Sequence, residues 1–242
     1  MVEPFVFRAL YLREHGTNLT YTQQQKLRDW SNFERDTLHP EFKLHFPKML
    51  RKIAEQDSDA IVFLDRKGRP FSWAARKLWP HITDKDMPKF YFLAPDKDDP
   101  TTTRQLIHKM SKVIGVSGKK VVLVDECACQ NTSIEPVSHA LRGNGAKVVL
   151  ALYTTKHGAA HFLATRNEVI SGDSEHHPPF SVPIPMGKGY TRPLSGKGDW
   201  YNLFADTKPI QNDDRNMKFM QTLRQGVGAL VDEIIEEMKR VK

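Results

Sequence analysis

The sequence predicts an α/β fold in which a mostly parallel sheet is flanked by helices. Four short apolar runs, rich in β-forming residues, begin about thirty residues apart. Between them lie segments in which apolar residues recur every three or four positions, as on one face of a helix. Buried strands that alternate with amphipathic helices are typical of βαβ units and a parallel sheet covered on both faces. The predicted strands are 60–64, 90–93, 121–124 and 148–153, and the predicted helices between them are 71–79, 103–114 and 133–141.

Helical additions are predicted at both ends of this core. Apolar residues recur at roughly helical spacing between Leu19 and Phe33. Pro40 is expected to end that helix, and a second helix follows over 42–53, kinked or displaced at Pro47. An apolar stripe from Met217 to Val241 indicates a C-terminal helix that either covers the core or forms a homodimer. We therefore expect a helical extension at 1–57, an α/β core at 58–155, and an irregular segment with a terminal helix at 156–242.

The composition is typical of a globular protein in water. Hydrophobic residues make up 39% of the 242 residues, and charged residues 27%. No apolar run approaches the roughly 18 residues of a membrane-spanning helix, and no signal-peptide pattern is found, so we expect a cytoplasmic protein without a membrane partner. The net charge of +7 would attract phosphates or nucleic acid, but it is also common in cytoplasmic proteins without a nucleic-acid partner and does not favour one. The two cysteines, Cys127 and Cys129, are too few for a disulfide framework or a complete zinc site.

Ligands of an open parallel sheet bind beyond the carboxyl ends of its strands, so the residues that end each strand are candidates for a site. Asp125 and Glu126 follow the apolar run 121–124 and are expected at the tip of that strand, clear of the core. Such carboxylates can accept hydrogen bonds from vicinal hydroxyls or hold a divalent cation through water. The loop after them leads into a helix whose free N-terminal amides form an anion site. Hydroxyl recognition beside phosphate recognition is what a ribose 5-phosphate requires.

The segment Val121-Val-Leu-Val-Asp-Glu126, with the short loop and helix after it, resembles the phosphoribosyl pyrophosphate (PRPP) motif of the type I phosphoribosyltransferases. The resemblance covers 58–155 and implies the fold of that family. It also implies that Asp125 and Glu126 contact the ribose hydroxyls. The loop residues that would hold the 5-phosphate through amides and hydroxyls are Cys129, Gln130, Asn131, Thr132 and Ser133.

The resemblance further implies a pyrophosphate site and a cofactor. Lys67, Gly68 and Arg69 are similar to the family's pyrophosphate loop, where a glycine lets the backbone approach the diphosphate and basic side chains neutralise it. Lys97 and Arg104 correspond to the mobile catalytic loop and would close over the leaving group. Mg²⁺ is the implied cofactor, and PRPP or a nucleotide is the implied ligand. The implied reaction is transfer of a phosphoribosyl group to a nitrogen acceptor, and the sequence does not identify the nucleobase-like acceptor.

The phosphate loop departs from the family's pattern. Gln130 and Asn131 stand where threonine and glycine are expected. Asparagine tolerates left-handed backbone angles and can keep the turn, whereas the glutamine side chain is bulkier and could crowd the phosphate. This departure and the net charge are also compatible with a second function. In that interpretation the chain is a non-catalytic module of the same fold that binds nucleotides or RNA and serves in regulation.

Three other interpretations of the sequence remain open. Asp125 and Glu126 after an apolar strand also fit a Walker B strand, but 115–120 and 195–198 both fail the spacing of the phosphate loop that a nucleoside triphosphatase needs. The two acids could instead form a solvated strand end that binds nothing. A metal site could draw on His157, His161, His176 and His177, although no glutamate follows the first histidine as in zinc proteases.

Overall fold

Six parallel strands form one sheet in the computed structural model, counted over the residues that the structure describes. Those residues are 2–6, 8–9, 18–64, 68–93, 100–127, 134–154, 168–176, 178, 203–204 and 214–241. The strands are β1 (Ala60–Leu64), β2 (Lys89–Leu93), β3 (Lys120–Cys127), β4 (Lys147–Thr154), β5 (Glu168–Ser171) and β6 (Leu203–Phe204). Their order in the sheet is β5-β4-β3-β1-β2-β6. The predicted α/β fold class with a parallel sheet is therefore confirmed, and the four predicted strands are β1 to β4.

Helices cover both faces of this sheet. The helices are α1 (Tyr21–Phe33), α2 (His39–Ala54), α3 (Gly68–Ile82), α4 (Pro100–Ile114), α5 (Ile134–Gly143) and α6 (Asp214–Val241). Buried side chains of α2, α3 and α6 form one apolar cluster with one face of the sheet. Buried side chains of α4 and α5 form a second cluster with the other face. The result is a three-layer arrangement, and the helices predicted at 71–79, 103–114 and 133–141 correspond to α3, α4 and α5.

The side chains of β3 show why the strands are continuous apolar runs in the sequence. Successive residues of a strand face opposite sides of the sheet. Val122 and Val124 accordingly pack with α2, α3 and α6, while Val121 and Leu123 pack with α4 and α5. All four side chains are buried. Because both faces of the sheet are covered, no polar alternation is needed along the strand.

The N-terminal helical region continues from Tyr21 to Ala54. A π-helical turn (Glu34–Leu38) joins α1 directly to α2. The two predicted helices are thus confirmed, but the expectation that Pro40 ends the first one is wrong. Pro40 lies in the first turn of α2, where a missing N–H group is tolerated. Pro47 lies within α2, and the helix continues past it.

A buried carboxylate holds the N-terminal segment against this region. Glu34 is 0% exposed, and its Oε1 accepts hydrogen bonds from the amides of Phe5 (2.8 Å) and Val6 (3.1 Å). The same oxygen lies 3.1 Å from Nε2 of His39. The Phe5 ring stacks on His39, with the ring centroids 5.5 Å apart, and it leaves no room for a side chain at Gly226 of α6. The segment is therefore packed between the π-helical turn and the C-terminal helix.

The C-terminal helix α6 covers the core, which was one of its two predicted roles. Its stripe of Leu223, Val227, Leu230 and Ile234 is buried in the cluster that includes α2 and α3. The other predicted role, formation of a homodimer, stays a prediction. Within the described part of the chain, no helix combines the length and the apolar character needed to cross a membrane.

Candidate functional site

The carboxyl ends of β1 and β3 border a position at which the strand order reverses. These strands are neighbours, but the chain leaves β1 into α3 on one face of the sheet and leaves β3 towards α5 on the other face. The two connections diverge, and open parallel sheets bind their ligands in the crevice that results. Asp125 and Glu126 lie at the end of β3, while Gly68 and Arg69 begin the helix after β1. The structure therefore brings these four predicted site residues to the same edge of the sheet.

The two acidic residues lie within the strand. β3 extends to Cys127, so the expectation that both acids stand beyond the strand and clear of the core is wrong. Asp125 is half-buried, and its Oδ1 accepts a hydrogen bond of 2.8 Å from the amide of Glu126. The Glu126 side chain is only 1% exposed. Because neighbouring strand residues alternate, Asp125 belongs to the face covered by α4 and α5, and Glu126 belongs to the face covered by α2 and α3.

Glu126 lies on the face of the sheet that carries the aromatic part of the core. Its neighbours Asp125 and Cys127 pair with Leu152 and Thr154 of β4, so Glu126 falls level with Tyr153, which is also buried. The Tyr153 ring packs near Phe42 and Phe71, with centroid separations of 5.9 Å and 5.5 Å. Burial raises the pKa of the Tyr153 phenol well above its ordinary value, so the hydroxyl remains protonated near neutral pH. A carboxylate in such surroundings is stable as an ion only when it is hydrogen-bonded or paired with a cation.

Gly68 and Arg69 form the start of α3. At Gly68 an added Cβ would lie 2.8 Å from the Cβ of Phe63 in β1, so the absence of a side chain allows the helix to begin this close to the strand. Arg69 is 7% exposed, and its guanidinium carbon lies 5.7 Å from the ring centroid of Phe92. Packing thus accounts for the glycine without reference to a ligand, and the arginine is largely covered. Diphosphate binding by this pair stays a prediction.

Arg104 lies at the same edge of the sheet. It is exposed in the second turn of α4, beside the buried Thr103, and α4 begins on the carboxyl side of β2. This position is compatible with the predicted approach to a leaving group. The other predicted site residues lie outside the described part of the chain: Lys67, Lys97, Cys129, Gln130, Asn131, Thr132 and Ser133.

A polar cluster next to this edge was not predicted from the sequence. Glu41 of α2 accepts a hydrogen bond of 2.7 Å from Oγ of Ser174 and one of 3.2 Å from the amide of Glu175. Nε2 of His45 lies 3.5 Å from Oε2 of Glu41, and Nδ1 of His176 lies 3.8 Å from Oε1. Glu41 and His45 lie four residues apart in α2 beside its apolar stripe, and that spacing was the available signal.

The cluster keeps the Glu41 carboxylate ionised. Burial alone would raise the pKa of Glu41, but the hydrogen bonds from Ser174 and Glu175 and the nearby His45 and His176 hold it below its ordinary value. The cluster lies where the chain leaves β5 and also connects to β4, because the hydroxyl of Thr154 donates 2.8 Å to the carbonyl of Ser174. It therefore fixes the connection after β5 against α2.

The metal site considered for the four histidines falls mostly on undescribed residues. His157, His161 and His177 lie outside the described part of the chain. His176 lies in the Glu41 cluster. Among the residues with described positions, no group of three or more His, Cys, Asp or Glu side chains is arranged to hold a metal ion.

Comparison with known proteins gives a distant structural similarity. Neither a family model nor a curated protein matches this chain. The crystal structure of a phosphoribosyltransferase from Corynebacterium diphtheriae is similar over 52% of this chain and 71% of that chain, with 20% sequence identity and a TM-score of 0.35. Similarity at this level assigns neither an activity nor a site. By its own topology the chain is an α/β protein with a parallel sheet whose strand order reverses between β1 and β3.

Proposed function

We propose that the crevice between β1 and β3 binds PRPP or a nucleoside 5′-phosphate together with Mg²⁺, and that the chain transfers the phosphoribosyl group to a nitrogen acceptor. The observation that carries this proposal is the position of Asp125 and Glu126, which lie near the carboxyl end of β3 where the strand order reverses. A carboxylate that reaches the crevice can accept hydrogen bonds from ribose hydroxyls. The N-terminus of α5, which follows on the same connection, offers amides and a favourable dipole to a phosphate.

The reaction would depend mainly on positioning and on neutralisation of charge. The bond between the anomeric carbon and pyrophosphate breaks, a carbon–nitrogen bond forms, and the acceptor nitrogen loses a proton. Since pyrophosphate is already a good leaving group, binding and electrostatic stabilisation would supply most of the rate. Asp125 is half-buried at the strand end and would orient the ribose. Arg104, with Lys97, would neutralise the departing pyrophosphate.

The residues at this edge fit a magnesium ion. The carboxylate of Asp125 and the phosphate oxygens of the ligand are hard oxygen donors, which this ion prefers. Magnesium commonly keeps several waters and binds through one or two carboxylates plus substrate phosphates. The bound ion would add positive charge next to the pyrophosphate.

The second candidate function is a non-catalytic module that binds a nucleotide or RNA and serves in regulation. Two features of the structure favour it. Glu126 is 1% exposed, and Arg69 is 7% exposed beside Phe92. Two residues that the resemblance assigns to ligand binding thus lie largely in the packed interior. A protein of this kind would bind its ligand without turnover.

A combined binding and turnover experiment tests the proposal. Thermal unfolding is followed with PRPP at millimolar concentration, with and without Mg²⁺, and pyrophosphate release is followed with a panel of nucleobases. At a hundred times its dissociation constant a ligand stabilises the folded state by about 2.7 kcal/mol. Magnesium-dependent stabilisation with pyrophosphate release supports the transferase. Stabilisation without release over the whole panel supports the non-catalytic module, and no stabilisation by PRPP contradicts the transferase.

A further inference from the structure

Most of the net charge of the chain is concentrated in α4, α5 and the turns that follow them. The whole chain carries +7, whereas 100–120 and 134–147 together contain seven Lys or Arg residues and one Glu. The rest of the chain is therefore close to neutral. The cations are Arg104, Lys109, Lys112, Lys119, Lys120, Arg142 and Lys147, and the acid is Glu135.

On the opposite face of the molecule, which α2, α3 and α6 cover, positive charges are paired with carboxylates. There, lysines meet acidic partners: Lys77 Nζ lies 2.6 Å from Asp232, and Lys43 Nζ lies 2.8 Å from Glu237. In the described part of the chain, no ion pair involves a residue of 100–120 or 134–147. Among the described residues, the positive charge of α4 and α5 is thus not neutralised by ion pairs.

Two packed turns bring these cations together. The turn after α4 and the turn after α5 are joined by a hydrogen bond of 2.9 Å from the amide of Gly118 to the carbonyl of Gly145. The amide of Lys147 also donates 2.8 Å to the carbonyl of Lys119. Exposed cations lie near these contacts on both sides: Lys112, Arg142 and Lys147 are within six residues of them, and Lys109 lies one helical turn before Lys112. We call them the cationic face: Lys109, Lys112, Arg142 and Lys147.

The chemistry of this surface indicates the kind of partner. Neither 100–120 nor 134–147 contains a Phe, Trp or Tyr residue. Single strands are held by bases stacked on aromatic side chains, and protein interfaces are enriched in aromatic residues at their centre. A membrane-surface helix needs several apolar anchors, but Val113 is the one large apolar side chain that is strongly exposed among the described residues of these segments. Cations without stacking groups suit the outside of a double helix, where phosphates are accessible and bases are not.

We propose that the cationic face binds the phosphate backbone of a double-stranded nucleic acid without reading its sequence. This surface is separate from the crevice between β1 and β3. Lys147 begins β4 and Lys112 lies in the last turn of α4, so both belong to the amino edge of the sheet. The crevice lies at the carboxyl edge. Binding at the cationic face therefore does not depend on the proposed transferase reaction.

Salt dependence and a matched pair of variants test this inference. Anisotropy of a labelled duplex of about 20 base pairs is measured at 50 and 200 mM salt. With four phosphate contacts, the affinity is expected to fall about 150-fold between these concentrations. The face variant K109Q/K112Q/K147Q is expected to retain only about a fourfold dependence on salt and to bind far more weakly at 50 mM. The control variant K26Q/K48Q/R51Q removes the same number of exposed cations elsewhere and should bind as the unmodified protein does.

Further measurements compare possible partners and test whether weaker binding of the face variant comes from loss of folding. The variant K109R/K112R/K147R keeps the charge and should bind the duplex as well as the unmodified protein. A single strand of the same length, vesicles with anionic lipid, and polyglutamate are compared at equal salt. Absence of duplex binding at 50 mM salt, equal weakening in the face and control variants, or tighter binding of any of the three other polyanions would overturn the inference.

Discussion

Replacement of Glu126 by glutamine separates the structural role of this buried carboxylate from its predicted role in ligand binding. The substitution keeps the shape of the side chain but removes its charge. Hydrogen bonds to charged groups contribute about 1.5–3 kcal/mol and neutral ones about 0.5–1.5 kcal/mol, so we expect the free energy of unfolding to fall by about 1–2 kcal/mol. The corresponding change at half-buried Asp125 should matter less. An asparagine there still accepts the hydrogen bond from the amide of Glu126, and the expected loss is below about 0.5 kcal/mol.

Urea unfolding with and without PRPP and Mg²⁺ measures both effects. Saturating ligand is expected to stabilise the unmodified protein by about 2.7 kcal/mol at a hundred times the dissociation constant. Both E126Q and D125N should lose most of this gain. The control is D86N, an exposed acid before β2 at the opposite edge of the sheet, which should keep the full gain and the full stability.

Two results would refute the reasoning. If E126Q unfolds at the same urea concentration as D86N, burial has not made the Glu126 charge important for folding. If D125N and E126Q both keep the full stabilisation by PRPP, the acidic pair does not form the ribose site, and the crevice between β1 and β3 loses its proposed ligand.

Three further predictions concern positions where the packing is specific. In urea unfolding, Gly68→Ala should lower the free energy of unfolding by about 1–3 kcal/mol, because its Cβ would lie 2.8 Å from that of Phe63. The control Gly143→Ala, whose Cβ would meet open space, should change this free energy by no more than about 0.5 kcal/mol. Glu34→Ala should cost about 3–5 kcal/mol in the same assay, because it leaves buried amides without their acceptor, and a value near zero would contradict the packing described for the N-terminal segment. Glu41 has a folded pKa below its ordinary value of 4.5, so its contribution to stability is present above that pH and is lost as pH falls through the lower, folded value. E41Q should flatten this acid limb in unfolding curves recorded from pH 6 to pH 3, and an unchanged limb would show that other groups produce it.

The sheet was predictable because its signal is local. In each of β1 to β4 an unbroken apolar run is long enough to cross a covered sheet, and amphipathic segments separate the runs. The position of Pro40 was misinterpreted because a proline ends a helix in its interior but is tolerated in a first turn. A continuous helical region in which a π-helical turn precedes that proline has no signature in the spacing of apolar residues.

The candidate site was predictable only in its place along the chain. Strand ends identify Asp125 and Glu126, since a parallel sheet directs all its carboxyl ends to one edge. How far β3 extends past its apolar run depends on the pairing of Cys127 with Thr154, which composition does not encode. Within this extension of the strand, Glu126 is buried. The contact between Glu41 and Ser174 joins residues 133 positions apart and could not be read from either segment alone.

The exposure of α1 has a consequence for proteolysis. No residue of α1 is buried, and a helix of this length is only marginally stable by itself, so it should open locally and be cut at Lys26 or Arg28 by trypsin. The N-terminal fragment produced by this cleavage carries Phe5 and Val6, whose amides remain hydrogen-bonded to the carboxylate of Glu34. The two pieces should therefore separate under denaturing conditions but elute together in native buffer. The hydrogen bonds to Glu34 would then keep the N-terminal fragment bound non-covalently to the rest of the protein.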